Sequence, residues 1–259
     1  MTAVESRGQV TVTFAGSGDA FGSGGRFQAC IHLRGPGGAA PVLLDCGATS
    51  LTALRRCGLD PGEVAGVFVS HLHADHFAGI PFFILNAQFA RRADPLAVIG
   101  PRGTGRRLAE LMEGMFPGST AVARPFAVAV TELRPGETFA TAGVAVTAFA
   151  ADHPSGAESE PLALRLTVGG AVIGYTGDTA WTDAVPGVAA GTDLLIAEAY
   201  YRSKRIPYHL RHDDLVEHRG ELATRRIVLT HMSDDVLDHL DEIGFEGARD
   251  GLVLGVSDW

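Results

Sequence analysis

Residues 64–76 read VAGVFVSHLHADH. The first seven form an apolar run of strand length, rich in β-branched and aromatic side chains. It ends directly in His71, His73, Asp75 and His76, four metal-binding side chains within six positions. Open sheets carry their sites at the C-terminal ends of buried strands. A loop is expected over 71–76, because side chains two apart on a helix diverge. Imidazole with carboxylate suits zinc, and also iron or manganese; a set without cysteine argues against a purely structural zinc site. A polar loop rich in histidine by chance would explain neither the spacing nor the position behind the strand.

Working outward, the same arrangement recurs. His153 follows a strand expected over 144–149, Asp178 in TGDT follows one over 171–175, and His231 in LTHMS follows one over 227–230. Further strands are predicted over 10–14, 29–33, 42–45, 96–99, 126–131, 162–168, 194–197 and 252–254. Helical spacing appears over 49–57, 78–92, 104–115, 213–223 and 234–242. Strands thus come in two batches, each followed by helices and closed by a strand that runs into a histidine. Two βαβ-like halves with sheets face to face and helices outside satisfy that order. The expectation is an α/β fold, one domain over residues 1–259, with function at the seam.

The composition limits the partners. The 259 residues carry 21 basic and 30 acidic side chains, a net charge of −9, with 46% hydrophobic and 20% charged residues. That is ordinary globular chemistry. The acidic balance argues against extended, sequence-independent nucleic-acid binding, which needs a basic face. A local basic patch is still allowed, although Lys204 is the only lysine. Cys30, Cys46 and Cys57 form no CxxC pair, so neither a disulfide framework nor a thiolate site is expected. MTAVESRGQV at the start has no signal pattern, and no apolar run reaches membrane-spanning length. A cytoplasmic protein with no membrane partner is expected.

Taken in order, His71-x-His73-x-Asp75-His76, His153, Asp178 and His231 resemble the five metal motifs of the metallo-β-lactamase superfamily. The resemblance covers nearly the whole chain. It implies an αββα sandwich, two packed mixed sheets with helices outside, and a site for two divalent metals along one edge. By that match His71, His73 and His153 take one ion, Asp75, His76 and His231 take the other, and Asp178 bridges them. Zinc is the expected metal, with manganese or iron as the other candidates.

Ligand identity prunes the branches. The commonest drug-hydrolysing lactamases would have cysteine in place of Asp178, and flavodiiron oxidoreductases glutamate in place of His73. The remaining dinuclear hydrolases are thioesterases of glyoxalase type, lactonases and phosphodiesterases. GSGDAFGSGGR (16–26) resembles the opening of the ribonuclease Z and phosphodiesterase branch. In that branch His209 and Glu198 match the catalytic histidine and glutamate, so catalytic roles are expected for Asp75, His209 and Glu198. A hydroxide between two cations can attack phosphorus, while a histidine oriented by a carboxylate assists the leaving alkoxide. The flanking motifs depart from the branch: AEAY stands for HEAT, and HLRH for HST. From His153 to Asp178 there is room only for two strands, so the tRNA-clamping arm of ribonuclease Z is absent. A small-molecule or cyclic phosphodiester is therefore expected ahead of RNA. The alternatives are a thioester or lactone hydrolase, a tRNA 3′-processing endonuclease and a non-catalytic binding protein. A homodimer is a family-based expectation only.

Other features are set aside. GSGDAFG lacks the GxGxxG spacing of a dinucleotide site. GPRGTGRR (100–107) reads as a loop entering a helix before it reads as a phosphate cradle. IPFFILNAQF (80–89) reads as core with a part left for an apolar lip or a dimer surface. Asp45 in LLDCG reads equally as a turn former or as a residue orienting a ligand histidine. His32, His212, His218 and His239 read as structural or solvated.

Overall fold

The computed structural model describes residues 9–154, 156 and 159–257. The N-terminal stretch up to residue 8, read above for signal patterns, lies outside them. The first half runs β1 (Val10–Gly16), β2 (Cys30–Arg34), β3 (Val42–Leu44), α1 (Ser50–Arg56), β4 (Gly66–Phe68), α2 (Ala74–Phe77), α3 (Ile80–Phe89), β5 (Leu96–Pro101), α4 (Thr104–Met115) and β6 (Val128–Leu133). Strands β1–β3 are an antiparallel meander, and β3–β6 are parallel. The second half repeats this plan with β7 (Thr138–Thr141), β8 (Val144–Ala150), β9 (Leu162–Val168), β10 (Ala171–Tyr175), α5 (Ala184–Ala189), β11 (Leu194–Glu198), α6 (His212–Glu217), β12 (Ile227–Thr230), α7 (Asp234–Leu237) and β13 (Glu246–Gly247). Here β7–β10 are antiparallel and β10–β13 parallel. The last strand, β14 (Leu252–Val256), returns to the first sheet and pairs antiparallel with β1.

Strand order is β14-β1-β2-β3-β4-β5-β6 in one sheet and β13-β12-β11-β10-β9-β8-β7 in the other. Side chains alternate across each strand, and the central strands of each sheet bury both faces. Phe14, Ile31, Leu44 and Phe68 meet Val146, Leu164, Ile173 and Ile196 between the sheets. On the opposite face of the first sheet, Leu43, Val67 and Val98 pack on Leu54, Phe83 and Leu108 from the helices. Leu195, Ala197 and Leu229 do the same under Val188, Leu215 and Val236. Burial on both faces is why these strands read as continuous apolar runs. The result is the expected αββα sandwich.

Several elements differ from the sequence reading. The strand over 64–70 shrinks to β4, although its extensions still bond outward, Ala65 N–H to Pro41 O at 2.8 Å and Val69 N–H to Ile99 O at 2.7 Å. The helix expected over 78–92 starts at Ile80, behind Gly79 and just before Pro81, a residue suited to a first turn. The helix over 213–223 ends at Glu217, because His218 leaves the helical conformation and stacks on Trp181. The one over 234–242 ends at Leu237, the chain then turning so that Leu240 lies against Gly247 of β13. Strands β7 and β13 were not expected; neither has an apolar run. Most of α3 is core, while Phe82 and Phe89 are exposed. Among the described residues no helix is long and apolar enough to cross a membrane.

Candidate metal centre

The expected ligands converge beyond the C-terminal ends of β4, β8, β10 and β12. The loop reading of 71–76 needs correction. His71 precedes the turn and His73 is extended, but Asp75 and His76 lie in α2, a single helical turn that starts after His73. The turn divides the motif. His71 and His73 join His153 in one donor group, while Asp75 and His76 join Asp178 and His231 in a second, the atoms of each lying within 4.8 Å of one another. Asp178 touches both groups: its carboxylate is 3.9 Å from His71 Nε2, 4.0 Å from His153 Nε2, 3.3 Å from His76 Nε2 and 3.5 Å from His231 Nε2.

The backbone makes this convergence by close approach. A Cβ on Gly47 would lie 2.1 Å from the carbonyl oxygen of Asp75, and one on Gly79 would lie 2.1 Å from that of Gly47. Only glycines let the segment after β3 dock on α2. Cys46 N–H donates to His76 O at 2.7 Å, and Gly79 N–H to Cys46 O at 2.9 Å. The docking brings Asp45 against His76. The carboxylate of Asp45 accepts from His76 Nδ1, Tyr175 Oη, Ser70 Oγ and Ser70 N–H at 2.7–2.8 Å. His76 is thereby turned with Nε2 toward Asp178. His153 Nδ1 donates to Tyr208 O at 2.9 Å, which leaves Nε2 facing His73 Nδ1 at 3.0 Å. Asp45, Tyr208 and His231 all hold left-handed φ values, 57°, 68° and 54°. Strained non-glycine backbone of this kind persists where surrounding contacts enforce it.

The donor chemistry fits divalent cations. His71 Nε2, His76 Nε2 and Asp178 Oδ1 are buried with no hydrogen-bond partner among the described residues. Polar atoms so buried are costly unless something pairs with them. Burial, then the neighbouring His76, pushes His71 well below the usual imidazole range. Burial opposes charge on His76 and His231, but carboxylates outweigh it: Asp178, Asp75 and Asp45 raise His76 well above its ordinary value. Asp178 and Asp75 raise His231 to about 9. Burial likewise disfavours charge on Asp75 and Asp178, yet the surrounding histidines hold both well below the usual carboxylate range. The field of the buried carboxylates Asp75 and Asp178 thus favours positive charge at the centre of the cluster, which protons on the rings or a cation between them would supply.

The other two expected residues stand beside this cluster. His209 Nδ1 donates to Glu198 Oε2 at 2.9 Å, and Glu198 Oε1 accepts from Thr179 N–H at 2.5 Å and Leu210 N–H at 3.3 Å. His209 Nδ1 is 3.9 Å from Asp178. Burial opposes a charged His209 ring, but Glu198 and then Asp178 raise its pKa above the ordinary value. Burial and the charge of Asp178 push the Glu198 carboxyl up. Together with Asp178 and His231 the pair forms a third group of donors.

Asp45, open between a turn former and an orienting residue, stands against His76 at the site. His212 is structural as expected: its Nε2 donates to Ile243 O at 2.7 Å. Tyr175, Ser70 and Tyr208 were missed, since a tyrosine at a strand end or a lone backbone carbonyl carries no sequence signal. The glycine-rich segment is held by Asp250, which accepts from Ser17 N–H and Phe27 N–H, while Ser17 O accepts from His231 N–H at 3.1 Å. That segment braces a candidate ligand.

Residues 41–232 match the sequence family described as beta-lactamase superfamily domain. The chain is 26% identical to ribonuclease Z of Methanosarcina acetivorans over 90% of both sequences. Among solved structures, it resembles the metallo-beta-lactamase fold protein YhfI from Bacillus subtilis with a TM-score of 0.77 at 19% identity, over 95% of this chain and 99% of that one. Human tRNase Z, short form, also gives 0.77, at 23% identity over 96% of this chain and 100% of that one. The chain belongs to the beta-lactamase superfamily. Within it, the chain stands in the ribonuclease Z and phosphodiesterase-like branch, and it is a metal-dependent hydrolase.

Proposed function

We propose that this chain is a single-domain hydrolase of small or cyclic phosphodiesters, working with two divalent ions, zinc before manganese or iron. In this reading His71, His73 and His153 hold one ion, Asp75, His76 and His231 hold the other, and Asp178 lies between. When bound, the ions supply charge to the phosphoryl oxygens and lower the pKa of water. The chain's residues do the rest. Asp45 and Tyr208 O fix the rings of His76 and His153.

The observation that carries the reading is the His209–Glu198 pair. With Nδ1–H committed to Glu198, Nε2 is the nitrogen left to hold a proton for a departing oxygen. An alkoxide needs that proton; the thiolate of a thioester leaves without it. The small size of the substrate is supported by the interval 154–177, spent largely on β9 and β10, with no length for a protruding clamp. A second reading, tRNA 3′-end processing, is favoured by the ribonuclease Z relative named above.

His209→Ala tests the assignment. Metal content should stay at the parent level, while turnover falls by ~10²–10⁴ for a plain alcohol leaving group, the usual size of general-acid assistance. The deficit should shrink for p-nitrophenol, which needs little protonation, and Glu198→Gln should give a milder version. Parent rates on every substrate would make His209 a bystander and move thioester hydrolysis ahead.

A further inference from the structure

A cavity of about 500 Å³ adjoins His209, lined by Asp152, Trp181, Arg205, Pro207 and Tyr208 among others. That volume is typical of small-ligand pockets. We propose that it receives the nucleobase of a nucleotide substrate, with Trp181 as the stacking wall. The proposal rests on the phosphodiester reading and names the substrate class.

Position ties the cavity to the chemistry. His209 is shared between cavity and candidate site, Asp152 precedes His153, and Tyr208 supplies the carbonyl that holds the His153 ring. A nucleobase seated here, joined through its ribose to the phosphate, would neighbour a phosphodiester at the metal centre across His209. The wall is also preorganised. Trp181 stacks on His218 with centroids 4.1 Å apart and planes 12° from parallel, and His218 Nδ1 is in turn bound to Glu221 at 2.7 Å. A flat ring held in place loses little freedom when a second flat ring stacks on it.

The polar lining chooses among flat or apolar ligands. Asp152 brings an exposed carboxylate, an acceptor suited to the exocyclic amino group of a base. Arg205, ion-paired with Asp214 at 3.5 Å and 73% exposed, brings a cation to the rim. An acyl chain offers nothing to the Asp152 carboxylate, whereas a base with an amino edge does.

Trp181 and Trp259 are the only tryptophans, so intrinsic fluorescence reads the wall directly. The metal-loaded protein is titrated with GMP, UMP and ribose 5-phosphate. Saturable quenching by GMP, little by ribose 5-phosphate and loss of the signal in Trp181→Leu are expected. In turnover, Trp181→Leu should raise KM for guanosine 2′,3′-cyclic phosphate about 5- to 100-fold, as loss of base stacking does. It should leave glycerol 1,2-cyclic phosphate, which has no base, unchanged. Asp152→Ala, at an exposed position, should weaken GMP more than UMP and serves if Trp181→Leu does not fold. Equal responses to GMP and ribose 5-phosphate, or equal KM changes on both cyclic substrates, would overturn the pocket assignment alone. A parent enzyme that hydrolyses neither cyclic phosphodiester overturns the phosphodiester reading, and this proposal with it.

Discussion

Asp45 concentrates much of the site's geometry in one side chain. Its buried carboxylate meets four donors, from His76, Tyr175 and two atoms of Ser70. Only an acceptor on both oxygens satisfies all of them. Asp45→Asn would set an amide N–H₂ against donors and release the His76 ring. Metal affinity, measured by competition with a chromophoric chelator, should fall by ~10–100-fold, the usual cost of losing such an orienting partner. Unchanged affinity would show that α2 alone positions His76. The seven candidate ligands were legible because each follows an apolar strand in the sequence. Asp45 was not decided there, because LLDCG reads as a turn until the approach of Gly47 to Asp75 is known. His209 and Glu198 were reached only through the family resemblance, since their pairing is a tertiary contact.

At the scale of elements, β2 carries its own test. Ile31 and Leu33 face the core between the sheets, so alternation turns His32 the other way, where both ring nitrogens are buried without a partner among the described residues. Burial, with Arg34 adding to it, lowers its pKa to about 4. The folded state thus binds fewer protons than the unfolded state between pH 4 and 6.5. Stability is lost as pH falls below 6.5 and the loss is complete near 4. From pH 7.5 to 5 the His32 share of the loss is about 2 kcal/mol, and His32→Val should lose less stability than the parent by that amount in urea titrations of the metal-loaded protein. A parallel pH dependence in the variant would contradict the assignment. Strands buried on both faces and helices with a clear apolar stripe, such as α4, were legible. The late helices were overcalled because His218 and Leu240 take tertiary partners that end the helical path. Edge strands β7 and β13 were missed because pairing with a neighbour, rather than their own composition, makes them strands.

On the scale of the whole molecule, the two halves repeat one plan, and each sends the ends of its parallel strands to the same seam. The buried ligand atoms that lack partners fill that seam, so bound metal should be worth much of the fold's stability. At free metal ~1,000-fold above Kd the gain is about 4 kcal/mol. Chelation and dialysis should then lower Tm by roughly 10 °C, a shift expected for a chain of this size. A Tm indifferent to metal would contradict a built dinuclear site. The acidic surface and the short interval between His153 and Asp178 both point away from extended RNA contacts and toward a local phosphodiester. The most direct test is steady-state turnover by metal-loaded protein on one panel: an aryl phosphodiester, cyclic nucleotides, a thioester, a lactone and precursor tRNA. Hydrolysis of the aryl and cyclic phosphodiesters, abolished by chelation and restored by metal, is expected. Strong thioester or lactone turnover with no phosphodiester cleaved would contradict the phosphodiester reading.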